Sequence, residues 1–245
     1  MQYKYRSFKS VGLKEIFSKN ELFFSSPSRF NDPFDCRPRY SISPQADLRV
    51  ICSTLNIDLS AFEGTLERSV LEASFRNEMK RRANNRGILS LSKTWESILM
   101  WSHYSHNHTG ICLGFDFSTS KNTFLNKVWS VDYSENNELP ELKLEDLLEP
   151  GPDRGFELIR KVLLAKHSYW YYEEEVRCIA IATDEQSMEG VQIFEPECIK
   201  EVILGAKTSE EDELVVRHWI TKYTPHVKLT KLNFSKTHYE VVKVE

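Results

Sequence analysis

One stretch, residues 170–181, places three acidic residues and an arginine directly in front of an apolar run. Its sequence is WYYEEEVRCIAI, and its apolar second half is typical of a partly buried strand. Because side chains alternate along a strand, Glu173, Glu175 and Arg177 would share one face. Glu174 would point to the other face. Charged side chains in a buried segment cost folding free energy unless they form ion pairs, so they are kept where they pair or serve a function. The stretch therefore predicts either a salt-bridge ladder at a sheet edge or a functional site.

The composition predicts one soluble domain over residues 1–245. Hydrophobic residues make up 40% of the chain and charged residues 28%. No apolar run is long enough to cross a bilayer, and the N-terminal residues lack the apolar core of a signal peptide. The five cysteines include no Cys-x-x-Cys pair, which favours a reducing compartment. We therefore expect a cytoplasmic protein with no membrane partner, and a net charge of -4 indicates no overall attraction to nucleic acid.

The periodicity of apolar residues predicts a mixture of strands and helices. Strands are expected at 1–6 and 87–92, and helices at 61–82, 95–107 and 156–166. The segment at about 134–155 is acidic and interrupted by proline and glycine, so an exposed excursion is expected there. The fold class predicted is α+β.

Polar residues interrupt the otherwise apolar elements at five places. These are Arg6 with Ser7, Asn31 with Asp32, Ser90 with Ser92, Glu173 with Glu175, and the group Ser102, His103, Tyr104, His106 and His108. Each has an ordinary structural explanation: a surface ion pair, a turn, a half-exposed strand or a buried hydrogen bond. For each of these places taken alone, the structural explanation is better than a functional one.

Several catalytic chemistries lack their usual residue patterns. His103 and His106 are three apart on a predicted helix, but no His-Glu-x-x-His and no cysteine pair accompany them, so we predict no metal site. Cys112 with His108 would be a nucleophile pair, although the apolar surroundings of Cys112 favour inert burial. Neither a Gly-x-Gly-x-x-Gly nor a Gly-x-x-x-x-Gly-Lys loop occurs, which excludes the common dinucleotide and P-loop motifs.

A set of short motifs spans nearly the whole chain in order. The motifs are residues 3–6 (YKYR), 30–35 (FNDPFD), 100–104 (MWSHY), 108–111 (HTGI), Trp170 with Tyr172-Glu173-x-Glu175-x-Arg177, and 203–205 (ILG). As a set they resemble a family of bacterial proteins known mainly as a domain of unknown function. That resemblance by itself implies no particular activity.

The order of elements also resembles that of ADP-ribosyltransferases. The resemblance implies a split, strongly bent antiparallel β-sheet surrounded by helices, with a cleft that binds NAD. In that superfamily the first strand carries an Arg or His, which corresponds here to Arg6. A middle strand and the following helix carry pocket Ser or Tyr residues, here Ser90, Ser92 and Tyr104. The late acidic pair corresponds to Glu173 and Glu175. The middle strand departs from the superfamily pattern, because it reads Leu-Ser-Leu-Ser where Ser-Thr-Ser is usual.

The resemblance further implies a catalytic and an NAD-binding set of residues. The catalytic set is Glu175, Glu173, Arg6 and Tyr104, and the NAD-contacting set is Tyr5, Arg6, Ser7, Phe30, Asn31, Asp32, Ser90, Ser92, Trp101, His103, His108 and Arg177. A carboxylate at Glu175 would stabilise the positive charge that develops on the ribose when the nicotinamide bond breaks. Glu173 would take a proton from the acceptor, and Arg6 would clamp a phosphate or ribose.

The function expected is transfer of ADP-ribose from NAD to a macromolecular acceptor, which is a protein, RNA or DNA. Such enzymes serve as toxins or phage-defence effectors, so an antitoxin or regulatory partner is also expected. Three other functions stay open on the sequence: an NAD glycohydrolase using the same residues, a nucleotide- or partner-binding module without catalysis, and a metal-dependent nuclease.

Overall fold

A computed structural model shows a mixed α+β protein. It describes residues 1–44, 68–147, 160–181 and 186–244, together with positions 47, 50 and 53. Among these described residues, no helix has the length and apolar character needed to cross a membrane.

Strands dominate the described structure. They are β1 (Gln2–Arg6), β2 (Glu21–Phe24), β3 (Arg39–Ser41), β4 (Gly87–Ser92), β5 (Ile111–Phe115), β6 (Val128–Ser130), β7 (Asp132–Ser134), β8 (Glu141–Lys143), β9 (Ala165–His167), β10 (Glu175–Ala180), β11 (Gly190–Ile193), β12 (Ile199–Leu204), β13 (Lys228–Phe234) and β14 (Val241–Lys243). The α-helices are α1 (Leu13–Ser18), α2 (Arg68–Asn84), α3 (Ile98–Tyr104) and α4 (Glu210–Tyr223). A π-helical turn, Arg160–Leu164, and a 3₁₀ helix, Ser168–Glu173, precede β10.

Eight strands form one mostly antiparallel sheet in the order β14-β13-β12-β5-β1-β4-β10-β6. Only β12 and β13 run parallel within it. The sheet consists of two well-paired halves, because five residue pairs join β1 to β5 and six join β10 to β4. A single pair, Tyr3 with Ser92, joins β1 to β4. The two halves therefore meet at one row of residues.

The joining row continues into the second half, where Ser92 also pairs with Glu175. Tyr3, Ser92 and Glu175 thus lie side by side on one face of the sheet. Beyond this row the ladder between β1 and β4 stops, and the Lys4 amine donates to the Ser90 carbonyl at 2.8 Å in its place. The acidic end of β10 accordingly lies at the point where the sheet halves separate.

The two faces of the sheet pack differently. One face is covered by a single large core to which α1 and α4 contribute Leu13, Phe17 and Val216. The other face carries two separate apolar clusters. One surrounds Trp101 of α3 on the first half of the sheet, and the other surrounds Ile179 of β10 on the second half. Polar residues occupy the space between these clusters.

Several predicted elements are confirmed and others are wrong in extent. Strands at 1–6 and 87–92 are present as β1 and β4. The helix predicted over 95–107 is shorter, because Ser97 caps it and it ends at Tyr104. A helix through residue 166 is wrong, since β9 begins at Ala165. The predicted excursion at 134–155 contains β8 and the 3₁₀ turn Leu144–Leu147, and its residues 148–155 lie outside the described part of the chain.

The strand predicted through the acidic stretch is also wrong in its first half. Residues 168–173 form a 3₁₀ helix, and Glu174 ends it in the left-handed conformation with φ 42° and ψ 48°. The strand begins only at Glu175. Part of the predicted helix 61–82 is confirmed as α2, and residues 61–67 lie outside the described part of the chain.

Two glycines of the short motifs, Gly110 and Gly205, permit close backbone packing beside the sheet. A Cβ on Gly110 would lie 2.2 Å from the Arg6 carbonyl oxygen, and one on Gly205 would lie 2.2 Å from the His108 carbonyl oxygen. The Gly205 amide donates to the Gly110 carbonyl at 2.9 Å. The two glycines let the turn after α3 lie against β12, so they serve the fold.

Replacing Gly110 tests this packing. Gly110→Ala is expected to lower the free energy of unfolding by about 3 kcal/mol, because backbone must move to admit the methyl group. Gly12→Ala is the control: φ is 80° there and nothing lies within 4 Å, so only strain of about 1–2 kcal/mol is expected. Urea denaturation measures both. Equal losses in the two variants would contradict the close approach at Gly110.

Candidate active site

A narrow cleft opens where the two halves of the sheet separate. Its volume is about 130 Å³. Its walls come from β1, β4, β10, α3 and the segment after β2, and they are formed by Tyr3, Lys4, Tyr5, Phe30, Asn31, Asp35, Ser90, Leu91, Ser92, Met100, Tyr104, Lys166, Glu173 and Glu175. The cleft thus collects residues from distant parts of the sequence.

Strand alternation explains why polar residues face the cleft on β4 and β10. Arg177 pairs with Ser90, and Glu175 with Ser92, so these four side chains project from the same face. The intervening Leu91 and Val176 belong to the large core on the opposite face. A strand with one apolar and one polar face lies against a core on one side and a polar site on the other.

Glu173 reaches the same cleft by a different route. It is the last residue of the 3₁₀ helix and is buried, with 4% of its surface exposed. The left-handed backbone at Glu174 turns the chain, and the Glu174 amide donates to the Tyr171 carbonyl at 3.0 Å. Because of this turn, Glu173 and Glu175 both contact the Lys166 amine, although Glu173 is not part of the strand.

A fully buried guanidinium, Arg177, anchors the floor of the cleft. Its Nε donates to Glu175 Oε1 at 2.8 Å and its second terminal nitrogen to Glu175 Oε2 at 2.9 Å. The same nitrogen donates to Asp35 Oδ2 at 2.6 Å, and Nη1 donates to the Leu163 carbonyl at 2.6 Å. Phe30 lies over the guanidinium at 5.3 Å. Three separate segments are therefore fixed by one side chain.

Lys166, on β9, bridges the three carboxylates of the cleft. Its amine lies 2.6 Å from Glu173 Oε2, 2.9 Å from Glu175 Oε2 and 3.5 Å from Asp35 Oδ2. Its side chain is 6% exposed, so solvent barely screens these contacts. The five interacting groups carry three negative and two positive charges, which leaves one negative charge.

The neighbouring charges keep Glu175 and Lys166 ionised. Burial raises the pKa of Glu175, but the charge and hydrogen bonds of Arg177 and the charge of Lys166 lower it to about 2. Burial lowers the pKa of Lys166, and the attraction of Glu175, Asp35 and Glu173 raises it above its ordinary value. Glu175 is therefore a carboxylate at neutral pH.

Tyrosine hydroxyls position both glutamates. The Tyr104 hydroxyl donates to Glu173 Oε1 at 2.5 Å, and the Asn31 amide donates to the Tyr104 hydroxyl at 3.4 Å. Burial, followed by the hydrogen bond to Glu173, raises the pKa of Tyr104, so the hydroxyl keeps its proton. The Glu175 backbone amide donates to the Tyr133 hydroxyl at 2.8 Å.

Lys4 is the cation that the first strand contributes to the cleft. Burial lowers the pKa of its amine to about 8. Arg6 lies two residues further along β1 and is not among the cleft walls; its Nη2 donates to the Val11 carbonyl at 2.6 Å. Ser7 accepts the Lys9 amide in a turn, and Asp32 Oδ1 accepts the Phe34 amide at 2.9 Å.

Arg177, also expected to contact NAD, is fully buried and is not among the cleft walls, and three further predicted residues lie outside them as well. Trp101 is fully buried and donates to the Trp95 carbonyl at 2.7 Å. His108 contacts the Ser102 hydroxyl at 3.2 Å and stacks near Trp101. His103 contacts the Tyr172 hydroxyl at 3.1 Å. The structure thus assigns packing contacts to these three side chains.

Lys4, Asp35 and Lys166 line the cleft but were not predicted from the sequence. Asp35 lies in the FNDPFD motif, where only residues 30–32 were predicted to contact NAD. Lys4 lies in the YKYR motif, where Arg6 was preferred. Lys166 falls in a segment expected to be helical, and no local pattern marks it. Its role depends entirely on the fold.

Nucleophile and metal chemistries find little support in the described residues. Cys112 is fully buried, and burial raises the pKa of its thiol well above the ordinary value. Among the residues that the structure describes, no group of three or more His, Cys, Asp or Glu is arranged to hold a metal ion. Lys166 occupies the centre of the three carboxylates.

Two larger cavities adjoin the cleft at the segment of residues 30–35. A cavity of about 840 Å³ shares Phe30, Asn31 and Asp35 with it. This cavity carries four cationic side chains, contributed by Arg37, Arg39, Arg76 and Lys80. The second cavity, of about 330 Å³, shares Asp35 and Lys166 with the cleft. Asp35 thus lines all three spaces.

Comparisons with known proteins bear on the central part of the chain. Residues 100–178 match a family described as Protein of unknown function (DUF2971). The match covers about a third of the chain, from α3 to the middle of β10, and includes Tyr104, Lys166, Glu173, Glu175 and Arg177. Neither the curated proteins nor the solved structures gave a significant match.

Removing the buried guanidinium tests the network. Arg177→Met is expected to lower the free energy of unfolding by about 3–5 kcal/mol, because it leaves buried carboxylates without a partner. Arg217→Met is the control. Arg217 pairs with Glu213 at 2.7 Å but is 57% exposed, so a loss of at most about 0.5 kcal/mol is expected. Urea denaturation at pH 7 measures both, and similar losses would contradict a stabilising role for Arg177.

The pKa of Lys4 predicts a pH dependence of stability. Between about 8 and the ordinary value of 10.5, the unfolded chain holds a proton on Lys4 that the folded protein has released. The unfolding free energy of the native protein should therefore rise with pH in this range relative to Lys4→Met, and the difference should be flat below pH 8. Denaturation series on both proteins measure it, and parallel pH profiles would contradict the lowered pKa.

Proposed function

We propose that the protein is an NAD-dependent ADP-ribosyltransferase that modifies a macromolecule. The observation that carries the proposal is the position of Glu175, which lies in a cleft at the row where a β-sheet divides into two halves. The resemblance to ADP-ribosyltransferases places a late-strand glutamate in a cleft of a split sheet. Ser90, Ser92, Tyr104 and Glu173 line the same cleft.

Electrostatics support Glu175 as the group that stabilises the transition state. Cleavage of the bond between nicotinamide and ribose develops positive charge on the ribose, and a fixed carboxylate lowers the energy of that state. A pKa of about 2 keeps Glu175 ionised at any physiological pH. Arg177 and Lys166 hold it in place before the reaction, so little reorganisation is needed.

Glu173 is suited to the acceptor side of the reaction. Its two oxygens contact Tyr104 and Lys166, so its orientation is fixed. The acceptor atom forms a bond to ribose C1′ while the nicotinamide leaves with the electron pair of the broken bond. Glu173 takes the proton that the acceptor releases. Because Lys166 contacts both glutamates, it is a positioning residue for both steps.

The available spaces fit the two ends of NAD. The cleft of about 130 Å³ is smaller than the roughly 300–1,000 Å³ of typical ligand pockets, so it accommodates a single ring. Phe30 and Tyr104 supply aromatic surface for nicotinamide there. The adjoining cavity of about 840 Å³ has room and positive charge for the ADP half. In this proposal Lys4 replaces Arg6 as the first-strand cation.

The biological role belongs to the same proposal. An enzyme that consumes NAD and modifies a macromolecule suits a toxin or phage-defence effector, which a neutralising partner would restrain. With water as acceptor the same site would be an NAD glycohydrolase. Incubation with adenine-labelled NAD and cell lysate separates the two, since label on a macromolecule indicates transfer and free ADP-ribose alone indicates hydrolysis.

Replacing the carboxylate of Glu175 by its amide tests the proposed chemistry. Glu175→Gln keeps the shape of the side chain and one acceptor oxygen for Arg177, but its NH₂ group cannot accept the second hydrogen bond. Nicotinamide release is expected to fall at least about 100-fold. Glu174→Gln is the control, because that side chain is exposed and points away from the network. Circular dichroism verifies that both variants fold. A folded Glu175→Gln protein that still releases nicotinamide at the native rate would refute the proposal.

A further inference from the structure

We propose that the cavity of about 330 Å³ beside the cleft binds the acceptor, and that the acceptor is a nucleobase. This inference rests on the proposed ADP-ribosyl transfer and names its substrate class. The lining of the cavity includes Phe34, Asn136, Asn137, Lys166, Tyr169 and Trp170. Asp35 and Lys166 line the cleft as well. A molecule in this cavity therefore lies next to the groups that hold Glu173 and Glu175.

Exposed aromatic rings give the cavity its chemical character. Phe34 is 63% exposed and Tyr169 is 80% exposed, although such side chains are usually buried. Trp170 lines the same cavity, and the Lys166 amine lies 5.2 Å from the centre of its ring. Aromatic rings left open to solvent beside a cavity favour binding of another flat ring by stacking.

The polar atoms of the cavity fit the edge of a base. The side-chain oxygen of Asn137 contacts His167 Nε2 at 3.1 Å, and that of Asn136 accepts the Glu138 amide at 3.1 Å. With these oxygens engaged, each carboxamide presents its NH₂ group as a donor. Bases offer ring nitrogens and carbonyl oxygens as acceptors for such donors.

The charges around the aromatic cavity favour an uncharged group there. Arg39 lies 3.7 Å from Glu138, and the basic cavity, assigned above to the ADP half of NAD, shares Asp32 and Asp35 with the aromatic one. The aromatic cavity itself contains Asp32 and Glu138, so it suits an uncharged base better than a phosphate. Stacking of bases on open aromatic rings is the usual mode of binding to single strands.

The chemistry balances with groups already in place. An exocyclic amine or a ring nitrogen that carries a hydrogen forms a bond to ribose C1′. The bond from C1′ to nicotinamide breaks, and its electron pair leaves with nicotinamide. The proton of the attacking nitrogen passes to Glu173, which lies 2.6 Å from Lys166 at the boundary of the two spaces. No oxidant or reductant is required.

The test uses the full-length protein, labelled NAD and short homopolymeric RNA and DNA strands, with nucleoside monophosphates and a protein lysate as parallel acceptors. Tyr169→Ala and Phe34→Ala remove single exposed rings, and Tyr239→Ala is the control, because Tyr239 is 100% exposed and outside the cavity. The measured quantity is the ratio of transferred to hydrolysed ADP-ribose. Fluorescence anisotropy of labelled strands measures binding separately, without NAD.

The inference predicts label on one base type, with transfer and strand affinity reduced at least about 10-fold by Tyr169→Ala and Phe34→Ala but not by Tyr239→Ala. Labelling of strands identifies nucleic acid as the acceptor. Labelling of monophosphates alone identifies free nucleotides as the acceptor. Either result supports base binding in the cavity if Tyr169→Ala reduces the labelling. Label confined to protein, or transfer and affinity unaffected by both variants, would overturn it. Absence of nicotinamide release would refute the transferase, whereas Tyr169-dependent strand binding would still support the base site.

Discussion

The contact between Arg177 and its two carboxylates, Glu175 and Asp35, organises the rest of the structure. A guanidinium without exposed surface must satisfy its donors with protein atoms, and here β10, the residue 30–35 segment and the Leu163 carbonyl supply them. Each of these segments is thereby fixed relative to the others. Lys166 then balances one of the two remaining negative charges. A buried network of this kind holds charged side chains in one arrangement, which catalysis by electrostatics requires.

The same network explains why the sheet divides. Polar side chains at Ser90, Ser92 and Glu175 cannot lie under an apolar layer, so that face carries two separate apolar clusters with a cleft between them. The opposite face carries the main apolar core. Asp35 lines the cleft and both adjoining cavities, so the segment that contains it separates three spaces of different character. One space suits a small ring, one suits phosphates and one suits an aromatic acceptor.

Much of the fold and part of the site could be predicted from the sequence. Alternation of apolar and polar residues identified β4 and the shared face of Glu175 and Arg177, because strand geometry gives a period of two. The α+β class followed from the mixture of periodicities. The prediction failed at Glu173, where a 3₁₀ helix and a left-handed residue replace the expected strand. Local propensity could not reveal it, because aromatic residues are common in strands as well.

The sequence by itself determined which residues face the core and that a charged pair enters a buried strand. Only the tertiary structure decided which partners that pair has. Lys166, Asp35 and Lys4 reach the cleft from three segments far apart in the chain, and no periodicity links them to Glu175. The reason is physical. Backbone geometry is local and leaves a pattern in the sequence, whereas the pairing of buried charges depends on distances set by the packing of the whole domain.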